Sequence, residues 1–217
     1  MKPFTFLLGA IPVRVHLSFL IVSAFLGAGG RVTLAGLVQW VVVVFVGVLL
    51  HELGHALMGR SFGLAPQIDL EGMGGLTSWG RSGRRVGTLR SVAISVAGPF
   101  TGIAIGGAAY FYQRLHGDAL DVRLDALLSD VVWVNLGWGV LNLLPILPLD
   151  GGNVLRAIAQ HLMSDDRGER AARYTSIAVA VAIGIFALTS HYRFGALMLA
   201  YFAFFNYQAL RASSATS

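Results

Sequence analysis

The sequence predicts an α-helical polytopic membrane protein, with about six transmembrane helices and a small membrane-associated β-sheet or re-entrant hairpin, in a single domain over residues 1–217. Three observations lead there. Of the 217 residues, 55% are hydrophobic and only 12% are charged, with a mean hydropathy of +0.69, whereas charged residues make up about a quarter of soluble domains. Apolar segments bounded by charge recur at about 17–30, 34–58, 88–112, 127–147, 174–189 and 194–210, the first and fifth being short for a span. Between them lie two stretches, 4–16 and 66–80, whose patterns a helix does not explain.

The chain opens with Lys2 before the apolar run Phe4 to Ile11, the charge order of a secretory leader. Arg14 and His16 interrupt the apolar character soon after that run, and no small-x-small cleavage site is evident, so the segment is read as retained. Ile11, Val13 and Val15 alternate with Pro12, Arg14 and His16, the period of a strand. Residues 4–8 and 11–16, joined near Gly9, fit a small hairpin and equally an irregular interfacial anchor.

The second span carries the most informative feature. Residues 37–50 read LVQWVVVVFVGVLL and run directly into His51-Glu52-Leu53-Gly54-His55. On a helix, positions i and i+4 share a face about 6 Å apart in rise, so both imidazoles can bind one metal ion. Glu52 sits beside the first ligand, where a carboxylate can take a proton from an activated water and return it to a leaving amine. The bland alternative is two buried polar residues bonded to other helices. Ionisable side chains at membrane depth are costly and usually functional, which favours the metal site.

Residues 66–80, PQIDLEGMGGLTSWG, contain Gly72, Gly74, Gly75 and Gly80. The glycines argue against helix, and Ile68, Leu70 and Leu76 provide an apolar side. Non-helical backbone at membrane depth must be satisfied by protein or by a water-filled cavity. A re-entrant hairpin around Gly74 and Gly75 with one free edge can accept an unwound substrate as an added strand. The competing reading is an ordinary cytoplasmic loop with turn glycines.

At the end of the fourth span, residues 142–152 read NLLPILPLDGG. Pro145 and Pro148 cannot continue a regular helix, so the chain should unwind there and present Asp150 from irregular backbone. Two histidines and one carboxylate are an established catalytic zinc set. Asp150 as a simple N-cap of a helix from about Gly152 to Met163 is the alternative, and spacing leaves the two even. Asn142 can bond a substrate carbonyl or steady the broken helix.

Charge sets the expected orientation. With the N-terminus in the cytoplasm, the inside segments hold Lys2, Arg14, Arg60, Arg81, Arg84, Arg85, Arg90, Arg156, Arg167, Arg170, Arg173 and Arg211, against Arg31, Arg114, Arg123 and Arg193 outside. That bias places both termini in the cytoplasm and the two histidines near the cytoplasmic end of their span. It also accounts for a net charge of +5 and a pI near 10.1 without nucleic acid, since no basic run interleaved with aromatics occurs. There is no cysteine, so disulfides and thiolate metal sites are excluded. His16, His116, His161 and His191 have no second ligand at helical spacing and are read as interfacial or solvated. Asp118, Asp121, Asp125 and Asp130 read as a solvated outer loop, and Ser164 to Arg173 as a charged cytoplasmic connector.

The paired motifs, His51-Glu52-x-x-His55 in a span and Asn142-x-x-Pro145 followed by Asp150-Gly151, resemble the site-2 protease family of intramembrane zinc metalloproteases, peptidase family M50. IPVRVH at 11–16, GGLT at 74–77 and AGP at 97–99 extend the resemblance over nearly the whole chain. It implies one Zn2+ per chain held by His51, His55 and Asp150, with Glu52 as catalytic base and Asn142, Gly74 and Gly75 toward the substrate. Implied substrates are transmembrane segments of membrane proteins, such as anti-sigma factors or membrane-bound transcription factors, in a bacterial or archaeal cell membrane, often after an earlier cut by another protease. One departure is Gly102, where many relatives have Asn three residues after the proline of AGP. No PDZ or CBS module is expected in this length. A metal-binding transporter or catalytically silent scaffold is the other class to weigh, because buried charges and broken helices also mark transport pathways.

Overall fold

The computed structural model describes residues 2–29, 33–72, 74–80 and 86–214. Arg31, Arg81, Arg84 and Arg85, which enter the charge count above, lie outside the described residues. The elements in chain order are β1 (Phe4–Leu8), β2 (Ile11–Val15), α1 (Leu17–Ala28), α2 (Leu34–Ser61), β3 (Pro66–Glu71), β4 (Gly74–Trp79), α3 (Thr88–His116), α4 (Val122–Val132), a π turn (Trp133–Gly137), α5 (Trp138–Asn142), α6 (Asp150–Leu162), α7 (Asp165–Thr189) and α8 (Arg193–Ser214). The chain divides into two compact units. The first holds Met1–Arg85 and Ala97–Val140, and the second Val86–Val96 and Leu141–Ser217.

Among the described residues, four helices are long and apolar enough to cross a membrane: Leu34–Ser61, Thr88–His116, the continuous Val122–Asn142 and Asp165–Thr189. This is an integral membrane protein. Leu17–Ala28 is apolar but shorter, so length and composition support four of the six expected spans. Two boundaries differ from expectation for clear reasons. The stretch expected as a connector, Ser164 to Arg173, forms the first turns of α7, with Ser164 at the N-cap and Asp165 and Asp166 in the first turn, where negative charge suits the helix dipole. Glu169 and Arg173, one turn apart, pair at 2.6 Å and support the same helix. Part of the expected outer loop is also helical, since Asp125 and Asp130 lie within α4.

Both non-helical stretches of the first unit are strands of one sheet in the order β1-β2-β3-β4. The hairpin reading of 4–16 holds: β1 and β2 pair antiparallel from Phe4↔Val15 to Leu8↔Ile11, and Gly9 takes the positive φ of 59° that the turn needs. Residues 66–79 form the second hairpin, β3 and β4, from Pro66↔Trp79 to Glu71↔Gly74. Between the hairpins, β2 and β3 run parallel, which requires the crossover that α1 and α2 supply. In β2 every second residue is buried, matching the alternation in the sequence.

That buried face packs on the helices. Val13, Ile68 and Leu70 are fully buried together with Ile11, Val15, Phe19 and Ala56, against Val44, Phe45, Val48, Leu49 and Leu53 of α2. Burying each large aliphatic side chain is worth about 1.5–3 kcal/mol, so the sheet is anchored to α2 near the histidine motif. Further along the same helix, Trp40 packs with Val43 of α2 and Val134 of the π turn, and its indole N–H donates to the Ser23 carbonyl at 3.0 Å.

The second unit has its own core, in which Ile146 packs with Ala180, Ala187, Leu199 and Phe202 of α7 and α8. The helix from Val122 ends at Asn142, and residues 143–149 are irregular before α6 begins. The two prolines in that interval produce the expected break.

Candidate metal centre

His51, Glu52 and His55 lie within the regular helix α2. Successive turns bring the imidazoles together, with His51 Nε2 and His55 Nε2 3.1 Å apart. A tetrahedral zinc with Zn–N bonds of about 2.0–2.1 Å sets its two nitrogens roughly 3.3 Å apart. The observed convergence fits such an ion. The metal-ligating atoms of these three side chains all lie within 4.8 Å of one another, close enough to share a cation. Glu52 and His55 are 5% and 6% exposed.

The neighbours of this turn are shaped around it. Gly98 of α3 faces both imidazoles, and a Cβ there would overlap His55 Nε2 and crowd His51 Nε2. Gly54 approaches the Ala97 carbonyl and Thr101 as closely, so α2 and α3 meet backbone to backbone beside the histidines. From the sheet, Gly75 of β4 lies against the Glu52 side chain, where a Cβ would collide with the carboxylate. Two residues along the strand, Thr77 Oγ1 lies 2.7 Å from Glu52 Oε2, to which it can donate, and 3.1 Å from the Glu52 carbonyl oxygen. Strand β4 therefore positions the carboxylate while remaining the edge of its sheet.

Sequence reasoning points to His51, Glu52, His55 and Gly75, and the structure brings these four together. Gly74 also lies on β4, with open space where a Cβ would point. Thr77 and Gly98 are site residues that sequence reasoning misses. Both stand in motif stretches, GGLT and AGP, but only the fold aims them at Glu52 and the histidines. Asn142 and Asp150 belong to the second unit, Asn142 as the last residue of α5 and Asp150 as the first of α6. The N-cap of α6 is Leu149, so the helix begins at Asp150 rather than near Gly152.

Outside the spans, the strongest electrostatic feature of the sheet is Arg14 with Asp69, partners in the β2–β3 register. Arg14 Nη2 donates to Asp69 Oδ2 at 2.8 Å, alongside a second bond from Nε to Oδ1. The Arg14 hydrogen bonds hold the Asp69 carboxyl below the usual carboxylate range, against the opposing effect of burial and with help from Gln67. His16 lies 3.7 Å from Asp69 and 4.0 Å from Glu71, which makes it part of this sheet cluster.

Known proteins bear on this architecture. The family model described as Peptidase family M50 matches residues 105–185. A protein named Putative zinc metalloprotease Rip3, from Mycobacterium tuberculosis, is 32% identical over 196 residues, covering 86% of this chain and 46% of that protein. Zinc metalloprotease MJ0392, from Methanocaldococcus jannaschii, is 30% identical over 154 residues, covering 68% of this chain and 42% of the relative. The chain thus spans less than half the length of the curated relatives it matches. A solved structure, Site-2 Protease from Methanocaldococcus jannaschii, shares the fold with a TM-score of 0.67 over 95% of this chain and 94% of that one, at 24% identity. In its fold, its relatives and the paired histidines on α2, the chain is similar to the site-2 proteases and to proteins named zinc metalloproteases.

Proposed function

We propose that this protein is an intramembrane zinc metalloendopeptidase that cleaves transmembrane segments of membrane-protein substrates, as in regulated intramembrane proteolysis. The observation that carries the reading is the pair of Nε2 atoms 3.1 Å apart beside a buried glutamate, on a helix long and apolar enough to cross a membrane. His51, His55 and Asp150 would hold one Zn2+ per chain. Support for Asp150 is the irregular segment that ends at it and the two-histidine, one-carboxylate set that suits catalytic zinc. When bound, zinc supplies a water with its pKa lowered toward neutrality and polarises the carbonyl under attack.

The chain's own residues do the rest. Glu52 takes the proton of the attacking water at its carboxylate and delivers it to the leaving amine, while Thr77 holds Oε2 in one orientation. A helical substrate hides its carbonyls in its own hydrogen bonds, so it must unwind first, which helix-breaking residues ease. The edge strand β4, with Gly74 and Gly75, supports capture of the unwound chain as an added strand. Asn142 bonds the substrate carbonyl. The substrates are transmembrane proteins such as anti-sigma factors or membrane-bound transcription factors.

The bilayer in this reading is a bacterial or archaeal cell membrane crossed six times, by α1 and α8 in addition to the four long helices. Both termini are cytoplasmic on the arginine bias, and water reaches the site from that side.

The test is cleavage in proteoliposomes of a single-span fusion whose transmembrane segment carries helix-breaking residues. The parent should cut it and bind zinc, while Glu52→Gln should keep zinc and lose cleavage. His51→Ala and Asp150→Ala should lose both. Undiminished cleavage by Glu52→Gln would overturn the reading.

A further inference from the structure

In an apolar bundle a polar side chain is costly unless paired, so its partners reveal what the fold is holding in place. Two residues of the second unit, Ser176 on α7 and Asn206 on α8, are both 0% exposed. They converge on a single residue of the irregular segment. The Leu147 N–H donates to Ser176 Oγ at 2.9 Å, and the Leu147 carbonyl accepts from Asn206 Nδ2 at 2.7 Å. Leu147 is itself buried, so each of these backbone groups would cost about 1–3 kcal/mol if left unpaired.

Both clasping side chains are fully committed. Ser176 Oγ donates to the Ala172 carbonyl at 2.7 Å, and Asn206 Nδ2 gives its second hydrogen to the Phe202 carbonyl at 2.8 Å. Each is tethered to its own helix one turn back and reaches out with what remains. A line of contacts then runs from Asn206 to the far side of Asp150. Arg173 Nη1 lies 3.5 Å from Asn206 Oδ1 and pairs through Nη2 with Glu169. Glu169 lies 3.9 Å from Arg156, which donates to Asn153 Oδ1 at 2.9 Å, in the first turn of α6. Asp150 therefore sits between two held points, Leu147 before it and Asn153 after it.

We propose that Ser176 and Asn206 are positioning residues for the metal centre. By gripping both polar groups of Leu147 they hold the Leu147–Asp150 backbone in one conformation and so fix the direction in which Asp150 offers its carboxylate to zinc. The proposal rests on the reading of Asp150 as the third ligand. A ligand held this way should bind more tightly, because its ordering is complete before the ion arrives.

The experiment measures zinc affinity by chelator competition in the detergent-purified full chain, alongside amide hydrogen exchange over residues 143–152 in the zinc-free protein. The variants are Ser176→Ala, Asn206→Leu, Asp150→Asn and, as a control, Ser23→Ala. Ser23 is a buried serine with the same one-turn-back bond, to the Phe19 carbonyl at 2.7 Å. Ser176→Ala and Asn206→Leu should weaken zinc about 10–100-fold, the usual cost of losing a group that orients a ligand, and should speed exchange over 143–152. Ser23→Ala should change neither. Ser176→Ala removes a single oxygen and serves if Asn206→Leu fails to fold. Wild-type zinc affinity in Ser176→Ala, with zinc lost in Asp150→Asn, would overturn the clasp and leave the ligand standing. Wild-type affinity in Asp150→Asn would overturn the ligand and the clasp together.

Discussion

Helix α2 and the segment 143–149 present the two sequence motifs by opposite means. In α2 the backbone satisfies its own hydrogen bonds, and the 3.6-residue period alone brings His51 and His55 together, with Nε2 atoms 3.1 Å apart. In 143–149 the helix is broken. The Leu147 amide and carbonyl must find partners 29 and 59 residues away, on two other helices. A site element built on regular backbone is a local property of sequence. One built on irregular backbone is only as well placed as the distant residues that hold it, so substitutions in the two regions should fail differently: near α2 by direct loss of chemistry, in the broken segment through a loosened backbone, with stability lost alongside zinc affinity.

The largest effect expected is at Gly98. In Gly98→Ala the new methyl would overlap the space of both imidazole Nε2 atoms, and zinc content should fall to near zero while far-ultraviolet circular dichroism stays helical. Zinc retained at the parent level would show that α2 and α3 can move apart there. Next is Gly75→Ala, whose Cβ would displace the Glu52 carboxylate. A misplaced catalytic group costs about 100-fold, so kcat should drop by that order with zinc still bound, in a proteoliposome cleavage assay.

Gly152→Ala probes the other region. Its Cβ would meet the Ile146–Leu147 peptide, and overpacking of this kind costs about 1–3 kcal/mol. The expected result is a lower Tm of the zinc-free protein. A normal Tm combined with lost cleavage would erase the contrast between the regions. Thr77→Val is milder. Losing its bond to the Glu52 carboxylate should reduce kcat about 10-fold, and Thr77→Ser should restore it.

The smallest effect is pH dependence of the sheet. Asp69 is held below the usual carboxylate range chiefly by the Arg14 hydrogen bonds, so the unfolded chain takes up a proton there before the folded one does. This contribution is fully present above the unfolded pKa of about 4 and is lost as the pH falls through the folded value. Tm should therefore drop on acidification below that point, and Asp69→Asn should remove this part of the slope.

Legibility in the sequence divides along the same line. The alternation of Ile11, Val13 and Val15 is legible as a strand, and the glycines after Ile68 and Leu70 as non-helical backbone, because burial on one face leaves a period in the sequence. That the two hairpins join through the parallel β2–β3 pair is not legible, because that register brings together residues such as Arg14 and Asp69, 55 positions apart. The Ser164–Arg173 stretch misleads in the other direction. Its charge suggests a connector, and its i,i+4 pair and N-terminal acids make it helix.

The sequence by itself determined the membrane class, the histidine pair with its glutamate, and the break at Pro145 and Pro148, because hydropathy, helical period and the missing proline N–H act within a few residues. Only the tertiary structure decided that Thr77 and Gly75 of β4 flank Glu52, that Gly98 makes room for the imidazoles, and that Ser176 and Asn206 grip Leu147. Those contacts are set by packing between elements far apart in the chain. A serine or glycine carries no local mark of the partner it will meet.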